Sequence, residues 1–209
     1  MTTDWAAWHR GYDEPGSDLS RRLHSVQRSI DAFLDGRPEG PVRVVSACSG
    51  EGRDLLEVLE RRPDCDRVHV RLLEVDAALA GLARERARLL AHVDARPADA
   101  GISDSYEGAV PADLVMMCGV FGNVTDEDLH GLVRALPQLC AEGATVIWTR
   151  GRFRSGDLTP QIRSWFEDAG FEEVSFDAPE DTGYRVGVHR LVALPQPLQR
   201  GRRLFTFTR

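Results

Sequence analysis

Two glycines and an acid set the chemistry open to this chain. Gly50 and Gly52 stand in Cys48-Ser49-Gly50-Glu51-Gly52. A residue without Cβ lets the backbone take positive φ and lets a ligand approach it closely. Glu74 follows about 20 residues on, the separation at which nucleotide-binding α/β units set a carboxylate on ribose hydroxyls. An ionised carboxylate only accepts hydrogen bonds, so it can take both protons of a ribose diol. These residue types predict a nucleotide- or nucleoside-binding turn. The glycines alone also fit a tight connection with no ligand.

Further candidates lie downstream. Cys118-Gly119-Val120-Phe121-Gly122-Asn123 is a second small-residue turn after an apolar run, at the kind of strand end where open α/β sheets bind ligands. Arg150, Arg152 and Arg154 alternate just past another such run, where they could clamp a substrate carboxylate or phosphate. They also fit a surface loop paired with the abundant acids. His189 lies in Tyr184-Arg185-Val186-Gly187-Val188-His189-Arg190-Leu191, which reads as a long loop that could cover a substrate. There it is either a general base or a buried structural histidine.

What must position these groups is an alternation of strands and helices. Val42 onward is a β-branched run bounded by Pro38-Glu39-Gly40-Pro41, which predicts a buried strand. Leu55, Leu56, Val58 and Leu59 then give a helix its apolar face. Val68–Val75 reads as a second strand, Ala77–Ala91 as a helix and His92–Arg96 as a short third strand. Asp113–Gly119 and Ala144–Thr149 read as strands four and five, and Phe171–Phe176 as strand six. Upstream, Ser17 or Asp18 can cap a helix carrying Leu19, Leu23, Val26, Ile30, Phe33 and Leu34, stopped near Gly36. Thr125 can cap another, with Asp126, Glu127 and Asp128 complementing its dipole.

In this order the residues resemble the class I S-adenosylmethionine-dependent methyltransferases. The likeness rests on the Cys48–Gly52 turn, on Glu74-Val75-Asp76 followed by Leu82-Ala83-Arg84, on Ala98-Asp99-Ala100, and on Asp113–Gly119. The resemblance implies a Rossmann-like sheet of seven strands whose last strand, here Arg203–Thr208, inserts antiparallel between strands five and six. It implies S-adenosylmethionine as cofactor. Ser46, Ala47, Cys48, Gly50 and Gly52 would lie at the methionine part and Glu74 and Val75 at the ribose. Asp99 and Ala100 would lie at the adenine, with Cys118 and Gly119 beside them. Ser46 stands where the family has an acid and Cys48 where it has a glycine. The resemblance also makes residues 1–41 a helical lid and 42–209 the cofactor domain, bringing Trp5, Trp8, His9 and Tyr12 to the mouth of the site. His9 and Tyr12 join His189 as candidate catalytic groups. Trp8, Asn123, Arg150 and Arg152 are candidates for the substrate, a small molecule. The tryptophans equally fit a staple onto the core.

Composition narrows the classes. The 209 residues carry a net charge of −7 and are 42% apolar, which disfavours a general nucleic-acid binder. All 26 basic residues are arginine, so chemistry that needs a lysine amine, such as a Schiff base or a P-loop, is excluded. The four cysteines form no Cys-x-x-Cys pair and the six histidines are scattered. That suggests free thiols in a cytoplasmic protein with no metal. No run approaches the roughly 20 apolar residues needed to span a membrane, and a homodimer stays open. Two rival functions remain: a nicotinamide-dependent reductase, whose third glycine would here be Leu55, and a methyltransferase-like module that binds without turnover.

Overall fold

The computed structural model describes residues 10–37, 39–151 and 156–208. Seven strands form one sheet in the order β3-β2-β1-β4-β5-β7-β6. They are β1 (Val42–Ala47), β2 (Val68–Glu74), β3 (Val93–Pro97), β4 (Ala112–Met117), β5 (Cys140–Gly151), β6 (Phe171–Asp177) and β7 (Tyr184–Leu191). β1 is parallel to β2 and β4, with Val44 beside Val70 and Leu114. Such strands are continuous apolar runs because helices cover both faces. β7 runs antiparallel to both β5 and β6.

The inserted strand is therefore Tyr184–Leu191 and not Arg203–Thr208, and it is no loop over the substrate. Its fit is local and steric. Gly187 opposes Trp148, and a Cβ there would lie 2.2 Å from the indole, so only glycine lets β7 pass over that ring. Val186 and Val188, alternating with it, bury on the other face. Arg203 and Phe207 of the tail make single bridges to Ile102 and Val124.

Each face of the sheet holds a core. On one, Trp148, Phe121, Phe166 and Phe205 pack with Leu129 and Leu132 from α4 (Asp126–Ala135), and with α5 (Thr159–Asp168). On the other lie α1 (Asp18–Asp35), α2 (Arg53–Glu60) and part of α3 (Ala77–Arg86). Ser17 caps α1, its Oγ accepting from Ser20 N at 3.1 Å. Leu23, Val26, Ile30 and Leu34 then bury one stripe, each contributing about 1.5–3 kcal/mol. That burial fixes the direction of α1, so its first turns lie over the carboxyl ends of the central strands.

Candidate functional site

The turn after β1 is wound by three left-handed residues at alternate positions. Cys48 has φ 52°, Gly50 φ 55° and Gly52 φ 72°. For Cys48 this conformation costs on the order of 1–3 kcal/mol. The backbone thus keeps the shape of a glycine turn where the side chain does not require it. Gly52 serves packing: a Cβ there would meet Leu56 and Leu72 at 2.9 and 3.0 Å. Ser46 and Ala47 lie beneath the turn, each 1% exposed.

Glu74 ties this turn to the second strand. Its Oε2 accepts from Gly50 N at 2.8 Å and its Oε1 from Asp76 N at 2.9 Å. Asp76 is occupied otherwise, its Oδ1 capping α3 by accepting from Ala78 N and Leu79 N. A carboxylate offers about four lone-pair sites, so two internal bonds leave Glu74 capacity for a ligand. Beside it the Ser49 hydroxyl is buried with no hydrogen-bond partner among the described residues. A buried polar group is rarely left so, and this one belongs to the lining of the cleft.

The cleft is a cavity of about 700 Å³. Its lining includes Cys48, Gly50, Glu74, Val75, Cys118, Gly119 and Asn123. Leu19 and Arg22 of α1, with Tyr12 ahead of it, also contribute. Thus the leading helix and the two turns come together. Asn123 is held by its Nδ2, which donates to Gly119 O at 2.6 Å, and Gly119 N donates to Thr149 Oγ1 at 2.9 Å.

A polar cluster of a different kind faces the same space. Arg22 Nη2 donates to Tyr12 Oη at 2.6 Å. Burial pushes the Asp54 carboxyl up to about 6, although the Leu55 N–H and Arg22 oppose the shift. Burial, reinforced by the Asp54 charge, holds the Cys118 thiol well above its usual range, and the thiol hydrogen-bonds Asp54. The Tyr12 phenol and the Cys48 thiol are likewise raised, chiefly by burial. Neither cysteine is a thiolate at neutral pH. The cluster can exchange a proton near neutrality at Asp54 and donate hydrogen bonds from Arg22 and Tyr12.

Other candidates lie elsewhere. His189 is 1% exposed within β7 and does not line the cleft. Its ring stacks on Phe166 at 4.1 Å, and its Nδ1 accepts from Trp148 Nε1 at 3.1 Å. Burial lowers it to about 4 despite nearby Glu173. It is a neutral, locked ring in the core, removed from the position a base requires. Asp99 also misses the cleft: its Oδ2 meets Arg203 Nη1 at 2.6 Å. Ala100 is buried at 3%. Arg150 reaches the cleft but is committed, donating to the Phe121 carbonyl and approaching Asp126 at 3.5 Å. Trp5, Trp8, His9 and Arg152 lie outside the described residues.

Sequence reasoning passed over Asp54, Arg22, Ser49 and Phe207. For Arg22 a signal existed, because it falls three residues after Leu19 and four before Val26, inside the apolar stripe. Asp54, second in its helix, reads simply as an acid complementing the dipole. Among the described residues no group of three or more His, Cys, Asp or Glu could hold a metal ion.

No protein-family model matches the chain. Among solved structures it is similar to magnesium protoporphyrin IX methyltransferase from Synechocystis PCC 6803 with bound SAM, with a TM-score of 0.69 at 14% identity, covering 91% of this chain and 92% of that one. The chain has the class I methyltransferase fold. The CurJ carbon methyltransferase matches with a TM-score of 0.70 at 15% identity, over 91% of this chain and 59% of that one. The cyclase SpnF matches with a TM-score of 0.57 at 16% identity, over 83% and 81%. A mouse protein, the uncharacterized KIAA1755 homolog, is 27% identical over 180 residues, 85% of this chain and 13% of that protein. The chain therefore spans a small part of that relative. No described helix is long and apolar enough to cross a membrane.

Proposed function

We propose that this protein is an S-adenosylmethionine-dependent methyltransferase acting on a small-molecule acceptor. The observation that carries the reading is the Glu74 carboxylate, bonded to the glycine turn and lining a cleft where the Ser49 hydroxyl has no hydrogen-bond partner among the described residues. The residues fit the cofactor: the left-handed turn Cys48–Gly52 leaves room for its amino-acid part, Glu74 can accept from the ribose, and Val75 offers an apolar contact to the base. When bound, the cofactor supplies an electrophilic methyl group.

The chain's own work is then to position and desolvate. α1 and Tyr12 narrow the cleft, while Asn123 and Arg22 present donors to the acceptor. Asp54 is the group suited to take a proton from an O–H or N–H acceptor, since a base works best with a pKa near the operating pH. Tyr12 orients that acceptor through the hydroxyl that Arg22 holds. His9, Trp8 and Arg152 remain candidates from the segments that flank the cleft in sequence.

A nicotinamide reductase is the weaker reading, because Leu55, where its third glycine would stand, is fully buried in the core. A binding module without turnover shares every contact named above, and folds of this kind host unrelated reactions. Calorimetry with S-adenosylmethionine and its demethylated product, followed by transfer of a labelled methyl group to fractionated metabolites, separates the two. Absence of binding at millimolar ligand rejects the cofactor. Binding without a labelled product from any fraction rejects the enzyme.

A further inference from the structure

After β7 the chain returns across the carboxyl ends of β3 and β4, held along its length. Gly201 N donates to Asp104 Oδ2 at 2.6 Å, Leu204 N to Gly101 O at 2.8 Å and Thr208 N to Asn123 O at 2.8 Å. Thr206 N donates to Asp128 Oδ2 at 2.9 Å. The crossing is tight: a Cβ on Gly101 would lie 2.4 Å from Phe205 O. Phe205 is 3% exposed in the Trp148 core, and the Phe207 ring sits 5.8 Å from it, in the lining of the cleft.

The same segment draws Asp99 away. Arg203 pairs with its Oδ2 at 2.6 Å, while Oδ1 accepts from Gly101 N at 2.8 Å. The acid after β3 is thereby turned onto the tail. Asp99 does not line the cleft, whereas the apolar Phe207, Val75 and Leu79 do.

Resting on the cofactor reading above, we propose that the tail forms the base end of the cleft, with Phe207 recognising the cofactor's purine by its flat ring and no carboxylate reading the exocyclic amino group. The physical consequence is a specificity. A site built to hydrogen-bond a polar group strongly rejects the analogue lacking it. An aromatic face is tolerant, since every base has a π-face. Deaminating the base therefore costs this protein little, whereas removing the ring of Phe207 costs it much.

The test is calorimetry with S-adenosylhomocysteine and with its hypoxanthine counterpart, on the wild type and on Phe207→Ala, Phe207→Leu and Phe207→Tyr. The wild type is expected to bind the two ligands within about threefold of each other. Phe207→Ala weakens both by about tenfold, Phe207→Leu weakens both to a smaller degree, and Phe207→Tyr retains affinity because the ring remains. Phe207 is only half-buried, and the leucine variant preserves apolar volume should the alanine variant fold poorly. A wild-type preference for adenine above about tenfold would reinstate a polar reader of the amino group, and unchanged affinity in both the alanine and leucine variants would remove the ring; either overturns the inference. If neither ligand binds the wild type, the cofactor reading itself falls and takes this inference with it.

Discussion

Replacing Glu74 by alanine tests the centre of the site, because the same carboxylate has an architectural and a ligand-binding duty. Its side chain is 7% exposed and accepts from two backbone N–H groups, at 2.8 and 2.9 Å. Truncation leaves Gly50 N and Asp76 N without their acceptor. An unsatisfied buried donor costs about 1–3 kcal/mol, and water entering from the cleft softens that for Gly50. At about 2–4 °C per kcal/mol for a chain of this size, the midpoint of thermal unfolding should fall by roughly 2–12 °C. Affinity for S-adenosylmethionine should fall by at least about tenfold, the equivalent of about 1.4 kcal/mol of lost ribose hydrogen bonding. Glu74→Gln keeps one acceptor oxygen, but its amide N–H₂ must face one of the two donors, so it should rescue stability only in part. Differential scanning calorimetry and titration calorimetry on the three proteins read the two effects separately. If melting falls while affinity is unchanged, the acid merely staples the turn and the ribose contact is refuted.

Other residues give sharper local tests. Asp54 is a carboxyl raised to about 6 by burial, so its charge is resisted by the fold above that pH and absent below the ordinary carboxylate range. Asp54→Asn should therefore raise the melting midpoint at pH 8 and leave it nearly unchanged at pH 4, and it should remove a carboxyl titrating near pH 6 from the infrared spectrum; an unaltered spectrum sinks the assignment. His189 is lowered to about 4 by burial, below its unfolded value of about 6.5. Protonation then favours the unfolded chain, so stability should fall by about 3 kcal/mol as pH drops from 6.5 to 4. His189→Gln, which can still accept from Trp148, should flatten that limb in urea titrations. Cys48 at φ 52° should tolerate glycine with little change in stability, whereas β-branched valine should cost more than about 2 kcal/mol; equal melting of the two variants would show that the turn is not strained.

How much of this was legible in the chain follows from the range of the forces involved. The first strand, its turn and the next helix are written locally: valines buried on both sheet faces, residues able to wind left-handed, then Leu55, Leu56, Val58 and Leu59 at helical spacing. The resemblance puts Glu74 rather than Asp76 at the ribose position, and in the structure Asp76, just before a helix, is drawn into capping it while Glu74 bonds the glycine turn. The choice between Tyr184–Leu191 and Arg203–Thr208 as the inserted strand was not local. Both alternate apolar and polar residues, and what separates them is a tryptophan some 40 residues away that leaves room for Gly187 alone. His189 followed the same error, because a loop exposes every side chain while a central strand buries both faces. The resemblance sets Asp99 at the adenine, yet in the structure it does not line the cleft, and its Oδ2 pairs with Arg203, distant in sequence. A motif therefore places a residue's backbone, but the partners its side chain meets depend on neighbours that only the fold brings near. For that reason Asp54, Ser49 and Phe207, which face the cleft, gave no linear signal, whereas Arg22 stood out within the apolar stripe of α1.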